Sequence, residues 1–227
     1  MHELDEHGWL VRANVVGAEL ATEITAAFAT IARGPGTRGG LALDPVRRLA
    51  ASAPVRALVE PILGRAAFAF RATLFDKTPA ANWLVAWHQD RVVPVVARTD
   101  EPGFGPWSRK ADVVYVEPPA AVLDELLAVR VDLDGSGPDS GGLRVLPGTH
   151  RDGVLSPAKI AERRAGLAAM ALTVPPRGAL VMRPLLLHAS SRANTPHHRR
   201  IVHLEFAPRE LPGITKFRRG DVEPRDG

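Results

Sequence analysis

A mainly β domain with flanking helices is the fold class this sequence predicts, and three observations predict it. Apolar residues recur at helical spacing up to about residue 65. From "AAFAFRATLFDK" onward the texture changes to short apolar or alternating runs broken by Pro, Gly and Asp. No internal repeat divides the chain. Several short strands with turn signals between them argue for a sandwich or barrel, and 227 residues suit one such domain.

Taken in order, "VVGAELATEITAAFATIARGPGTRGG" predicts an amphipathic helix ended by Gly34-Pro35-Gly36. "DPVRRLAASAPVRALVEPILG" predicts two short helices, with Asp44 and Ser52 as N-caps and Pro45 in a first turn. Strands are expected near 66–75, 84–90, 92–97, 126–133, 143–146, 179–182, 185–189 and 200–207. The segment 97–122 has little periodicity and is rich in Pro. Long irregular loops in compact domains are commonly functional, so a lid over the site is expected there, with a plain surface excursion as the alternative.

Composition narrows the function. Hydrophobic content of 45% and charged content of 24% are those of an ordinary globular protein with a substantial core. Cysteine is absent, which excludes disulfide scaffolds, thiolate metal sites and cysteine nucleophiles. "MHELDEHGWL" is acidic and lacks the apolar core of a signal peptide, and no run approaches the ~18 apolar residues of a membrane span. A cytoplasmic protein without membrane contact is expected. The net charge of +4 comes with 5% aromatics and interspersed acids, which fits an anionic small molecule better than nucleic acid.

The stretch "NWLVAWHQDRVVPV" places His88 and Asp90 two apart in an apolar run. On a regular strand they would share one face with Leu84 and Ala86, and Trp83 and Trp87 would pack behind. The same spacing recurs at "HRD" (150–152) and "HLE" (203–205), so spacing alone does not identify a site. "HRD" also occurs in protein-kinase catalytic loops, but no glycine-rich nucleotide loop or "DFG" accompanies it. His150 follows a Pro-Gly turn and is read as a loop residue. His203 and Glu205 are read as a mutually satisfied pair on a strand. His2, His7, His197 and His198 are read as solvated. A small, apolar face around His88 and Asp90 suits a closed pocket, where unpaired charges would be costly without a metal. Two imidazoles and one carboxylate on one face are what a mononuclear non-heme iron centre requires.

Together, "WHQD", "GGLRVLPGTHRDG" and a distal His followed eleven residues later by Arg resemble the phytanoyl-CoA dioxygenase family. "HGWLVRANVV" and "LFDKTP" are similar too, and the resemblance runs over roughly residues 6–207. Each motif is weak alone; in this order and spacing they are specific. The resemblance implies a double-stranded β-helix (jelly roll, cupin-like) core over about 66–207 behind a helical part over about 1–65, all in one domain. It implies an Fe(II)- and 2-oxoglutarate-dependent dioxygenase acting with O2, an oxidoreductase of secondary metabolism that hydroxylates a small metabolite.

Residue by residue, the resemblance implies His88, Asp90 and His188 as iron ligands. Arg199 would pair with the distal carboxylate of 2-oxoglutarate, with Ser190 assisting. Arg200 is the competitor that strand alternation should turn outward. Arg130 would meet co-substrate or substrate, and Lys77 matches a recurrent lysine upstream of the metal strand; for both, the alternative is a structural salt bridge. With Asp90 present, the position that related halogenases leave to chloride is filled. Trp107 is expected over a bound substrate, and Arg109, with Arg91, Arg98 and Lys110, is expected to favour an anionic one. Two alternatives remain: the same iron site directing desaturation, cyclisation or epimerisation, and a non-catalytic jelly-roll binding protein.

Overall fold

The computed structural model describes residues 2–30, 36–110, 112–195 and 197–208. The basic stretch "KFRRGDVEPR" and Gly34-Pro35 of the expected helix stop lie outside them. A short helix α1 (His2–His7) leads into strand β1 (Trp9–Arg12), followed by helices α2 (Ala18–Phe28), α3 (Asp44–Ala51) and α4 (Ala53–Leu63). The strands are β2 (Phe68–Lys77), β3 (Val85–His88), β4 (Val93–Val95), β5 (Trp107–Lys110), β6 (Val113–Val116), β7 (Leu127–Asp132), β8 (Leu143–Val145), β9 (Met170–Ala171), β10 (Gly178–Met182), β11 (His188–Ser190) and β12 (Arg199–Ala207). Helix α5 (Ala120–Asp124) precedes β7 and helix α6 (Pro157–Gly166) precedes β9.

Two antiparallel sheets form the jelly roll. The larger runs β1-β10-β7-β12-β2 and the smaller β3-β11-β8-β9. Strand alternation divides the larger sheet between two environments. Val129 and Val131 of β7, Val202, Leu204 and Phe206 of β12, and Ala72 and Leu74 of β2 pack with Ile24, Val46, Leu49, Val55 and Val59 of the helices. Ala128, Leu180 and Met182 face the other way and meet Leu143 and Val145 of the smaller sheet. This second face also carries the polar residues of β2, β7 and β12, so the helices seal one side of the sheet and leave the other for chemistry.

Several expectations change. Asp44 lies inside α3, whose N-cap is Leu43, and the Asp44 carboxylate pairs with Arg47 and Arg48 instead. Ser52 does stand at the N-cap of α4, but its hydroxyl donates back to the Leu49 carbonyl and caps nothing. Helix α6 was not expected, although "SPAKIAERR" carries its start signal: the Ser156 hydroxyl accepts from Lys159 N, with Pro157 at the first helical position.

The segment 97–122 is irregular only in part: 97–106 has no regular structure, but strands and a helix follow. It contributes the β5–β6 hairpin, which joins β4 in a third sheet ordered β4-β6-β5. Val93, Val95 and Val116 form an apolar cluster there with Phe70, Leu123, Leu126 and Leu185, and Trp107 packs against it. Burial of this cluster gives the hairpin its own reason to fold, without a bound substrate.

Candidate metal centre

His88 ends β3 and His188 begins β11, and the two strands pair so that these residues stand directly opposite. Their ring centroids are 4.2 Å apart. Asp90 follows in the connection after β3, held by its backbone N–H to the Pro184 carbonyl at 2.8 Å. One donor atom from each of His88, Asp90 and His188 lies within 4.8 Å of the others.

The donors are also prepared for a cation. His88 donates its Nδ1–H to the Ala86 carbonyl and His188 to the Leu186 carbonyl, both at 2.8 Å. That fixes each tautomer and leaves Nε2 bare, 3.7 and 3.8 Å from the two Asp90 oxygens. Burial pushes the His188 imidazole down to about 4, so it is neutral at physiological pH despite the pull of Asp90. Burial alone would raise Asp90, but His188, His203 and His88 outweigh it and bring the carboxyl down to about 2. Two imidazoles presenting Nε2 to one ionised carboxylate fit a divalent transition metal and leave room for further ligands.

Strand geometry here departs from simple alternation. His188 pairs with His88, yet Ser190 pairs with Val85, so β3 carries one extra residue between these rungs. In consequence Val85 and His88 both face the cavity, together with Trp83. Leu84, expected on the metal face, is 57% exposed, and Ala86 is exposed as well. Trp83 is a cavity wall, not a backing residue, while Trp87 packs behind with Leu146, Leu155 and Leu187.

Gln89, between the two ligands, was not singled out in sequence. It is buried and faces away from the metal centre. Its amide donates to the Gly153 and Leu185 carbonyls, and its Oε1 accepts from Leu155 N, each at 2.8 Å. Three bonds to three loop positions anchor the chain between His88 and Asp90.

A cavity of about 380 Å³ opens beside these ligands. Its other wall is the inner face of the larger sheet, and register makes it a grid. Arg199 pairs with Lys77, Ile201 with Phe75 and Asp132, His203 with Thr73 and Arg130, and Glu205 with Arg71 and Ala128. Arg199 is 2% exposed; one NH donates to the Gly141 carbonyl, and its Nε has no hydrogen-bond partner. Arg200 points away from the cavity and pairs with Asp134. Gly141 holds its carbonyl in place with φ +68°, where a Cβ would meet the Ser191 carbonyl oxygen at 2.5 Å.

Ser190 is buried in the cavity wall. Lys77 is fully buried behind it, its ammonium donating to the Ser191 carbonyl and lying 3.4 Å from Ser190 Oγ. Burial, then Arg199 and Arg130, lower Lys77 to about 7. Burial and Arg130 bring Arg199 down to about 9, against the opposing pull of Asp132. The salt-bridge alternative fails for both Lys77 and Arg130: among the described residues neither sits in an ion pair.

Trp107 and Arg109 are not cavity residues. Trp107 packs on the third sheet with Arg98 over its ring, and Arg109 is largely exposed beside Asp112. His203 and Glu205 stand on one strand 4.0 Å apart, as a loose version of the expected pair, and both line the cavity. Glu205 is held by Arg71 across the β2–β12 pair, and the nearest approach of His203 to a carboxylate is 3.7 Å, to Asp90. Parity with Arg199 along β12 was the signal that could have placed both inside. His150, read as a loop residue, lies in a 3-10 turn near the Asp5 carbonyl, and His198 is exposed beside Asp76.

The family model for phytanoyl-CoA dioxygenase (PhyH) matches residues 4–201. Among curated proteins, none matches the sequence. Solved structures do match in fold. AviO1 from Streptomyces viridochromogenes Tue57 is 17% identical with a TM-score of 0.68, over 94% of this chain and 95% of its own. HygX from Streptomyces hygroscopicus, with iron bound, is 16% identical with a TM-score of 0.66, over 91% and 84%. EctD from S. alaskensis, with bound Fe, is 21% identical with a TM-score of 0.68, over 98% and 83%. Other structures of these last two hold nickel with 2-oxoglutarate, and 2-oxoglutarate with 5-hydroxyectoine.

Proposed function

Because the chain belongs to the phytanoyl-CoA dioxygenase family, we propose that it hydroxylates a small polar metabolite of secondary metabolism. The activity class is that of a non-heme Fe(II)- and 2-oxoglutarate-dependent dioxygenase, which consumes O2 and releases succinate and CO2. One observation carries this reading: His88, Asp90 and His188 converge with both imidazoles already in the ligating tautomer.

His88, Asp90 and His188 would hold the iron. When bound, Fe(II) supplies the oxygen chemistry that couples oxidative decarboxylation of 2-oxoglutarate to oxidation of a substrate C–H bond. The chain's own residues bind, orient and exclude water. Arg199 offers its buried Nε and a second guanidinium edge to the distal carboxylate, a fit that a planar fork makes in two parallel hydrogen bonds. Ser190 adds a hydroxyl to that carboxylate, and Lys77 adds positive potential from behind. Phe75, Trp83, Val85 and Leu143 supply apolar wall around the co-substrate and the reacting position. Placement decides the outcome, because an oxidant formed away from its target C–H bond wastes co-substrate.

The test is anaerobic loading with Fe(II) and 2-oxoglutarate, then admission of oxygen with a panel of metabolites. Succinate release that rises with one compound, and a product one oxygen heavier, are expected. A product two hydrogens lighter, or an isomer, would assign desaturation, cyclisation or epimerisation to the same centre. No iron-dependent succinate under any condition would leave a binding protein.

A further inference from the structure

The hydroxylase reading assigns the metal ligands and Arg199 but leaves one charged group of the cavity without a task. Arg130 lines the cavity at 8% exposure. Among the described residues it makes no hydrogen bond and no ion pair, and its guanidinium lies over the Phe75 ring, 5.8 Å from the ring centre. Asp132, two residues on, draws it only through space, since no hydrogen bond or ion pair joins the two side chains. A guanidinium withdrawn from bulk water, with N–H groups that open only on the cavity and no protein acceptor, is a poorly solvated charge that an anionic ligand in the cavity would stabilise.

Position separates Arg130 from the co-substrate anchor. It shares a rung with His203, four residues along β12 from Arg199, roughly 13 Å along the strand at about 3.3 Å per residue. Asp132 stands on the intervening rung of β7. On the far side lie Glu205 and Arg71, which neutralise each other and leave Arg130 as the surplus charge of that half of the wall. Arg38, exposed and also lining the cavity, adds a second cation there.

We propose that Arg130 anchors an anionic group of the substrate, a carboxylate or a phosphate monoester, and so sets the substrate class of this cavity. This rests on the oxygenase reading and deepens it. It also moves charge recognition from the 97–122 hairpin, where Arg109 lies outside the cavity, to the inner face of the larger sheet.

The test loads the protein with Ni(II), which takes the same nitrogen and oxygen donors without turnover, and saturates it with 2-oxoglutarate. Acetate and inorganic phosphate are then titrated separately by calorimetry. The wild type is expected to bind at least one, acetate alone marking a carboxylate substrate and phosphate alone a phosphate ester. Arg130→Gln should weaken that binding about tenfold or more and leave the 2-oxoglutarate Kd within about twofold. Arg130→Lys, which keeps the charge and loses the fork, should fall between and guards against a misfolded glutamine variant. Failure of the wild type to bind either anion, or unchanged anion binding in Arg130→Gln, overturns the proposal. So does a loss confined to 2-oxoglutarate, which would return Arg130 to the co-substrate. A wild type that takes up no 2-oxoglutarate at all would instead sink the oxygenase reading.

Discussion

On the smaller sheet, each imidazole facing the cavity has its second nitrogen bonded to a carbonyl two residues earlier in its own chain. On the larger sheet, Arg130, the Nε of Arg199 and His203 Nδ1 face the same space or lie buried beside it with no acceptor or donor to meet them. The first wall is internally complete and lacks only a cation. The second is incomplete by design of its register and lacks anions. A site that must collect one metal and two organic molecules can be assembled this way, with each wall's deficit naming what binds there.

The sharpest way to break this contrast is to remove a donor from the completed wall. His188→Ala, or His88→Ala, should abolish metal-dependent succinate release, with Ni(II) or Fe(II) affinity falling by about 100-fold or more in calorimetry. Next comes a pair of neighbours on the other wall. Arg199→Gln should raise the KM for 2-oxoglutarate by roughly 30-fold, whereas Arg200→Gln, one residue on but committed to Asp134, should leave it within about twofold. Equal losses from both would dissolve the distinction between inward and outward charge.

Stability probes the same wall. Glu205→Gln removes the charge opposite the Arg71 guanidinium in a cavity where the pair is 13% and 7% exposed, so a cost of about 3 kcal/mol in urea unfolding is expected. A smaller effect is a pH dependence. Lys77 has its pKa lowered to about 7 by burial and its cationic neighbours. A dianion bound beside it favours the ammonium, so binding takes up a proton above that pH. The affinity for 2-oxoglutarate should therefore fall as pH rises from about 7 to 9, by at most about tenfold per unit, and Lys77→Met should flatten the curve. Smallest of all, neutralising Arg109 and Lys110 together should leave substrate KM unchanged, since the third sheet holds them away from the cavity.

What could be read from the amino-acid order follows where geometry is local. Arg199 turns in and Arg200 out because β12 is regular over nine residues, and alternation needs nothing else. The same rule failed along β3, where one extra residue changes which side chains meet the metal and no nearby Gly or Pro announces it. The Arg71–Glu205 pair joins residues 134 apart, so nothing in either neighbourhood reveals that Glu205 is held chiefly by Arg71, with His203 only at 4.0 Å. For Trp107 the composition of its segment suggested irregularity, but valines at 93, 95 and 116 supply a cluster that orders the hairpin elsewhere. The convergence of His88, Asp90 and His188 and the inward turn of Arg199 were foreshadowed by an ordered series of motifs. The polar half of the larger sheet was visible only once register was known.

The extra residue in β3 has a wider meaning. A strand has only odd and even sides, and three steps from Val85 along a regular strand would put His88 on the side away from the cavity; the bulge absorbs the surplus residue and returns the imidazole to the cavity side. Flattening that bulge with the count kept at three would carry the imidazole through the sheet, while leaving composition, hydrophobicity and the "HQD" triplet untouched. Placement of His88 beside Asp90 and His188 therefore depends on an irregularity, and a stretch with every motif intact but a regular ladder here would aim one imidazole away from the other two groups.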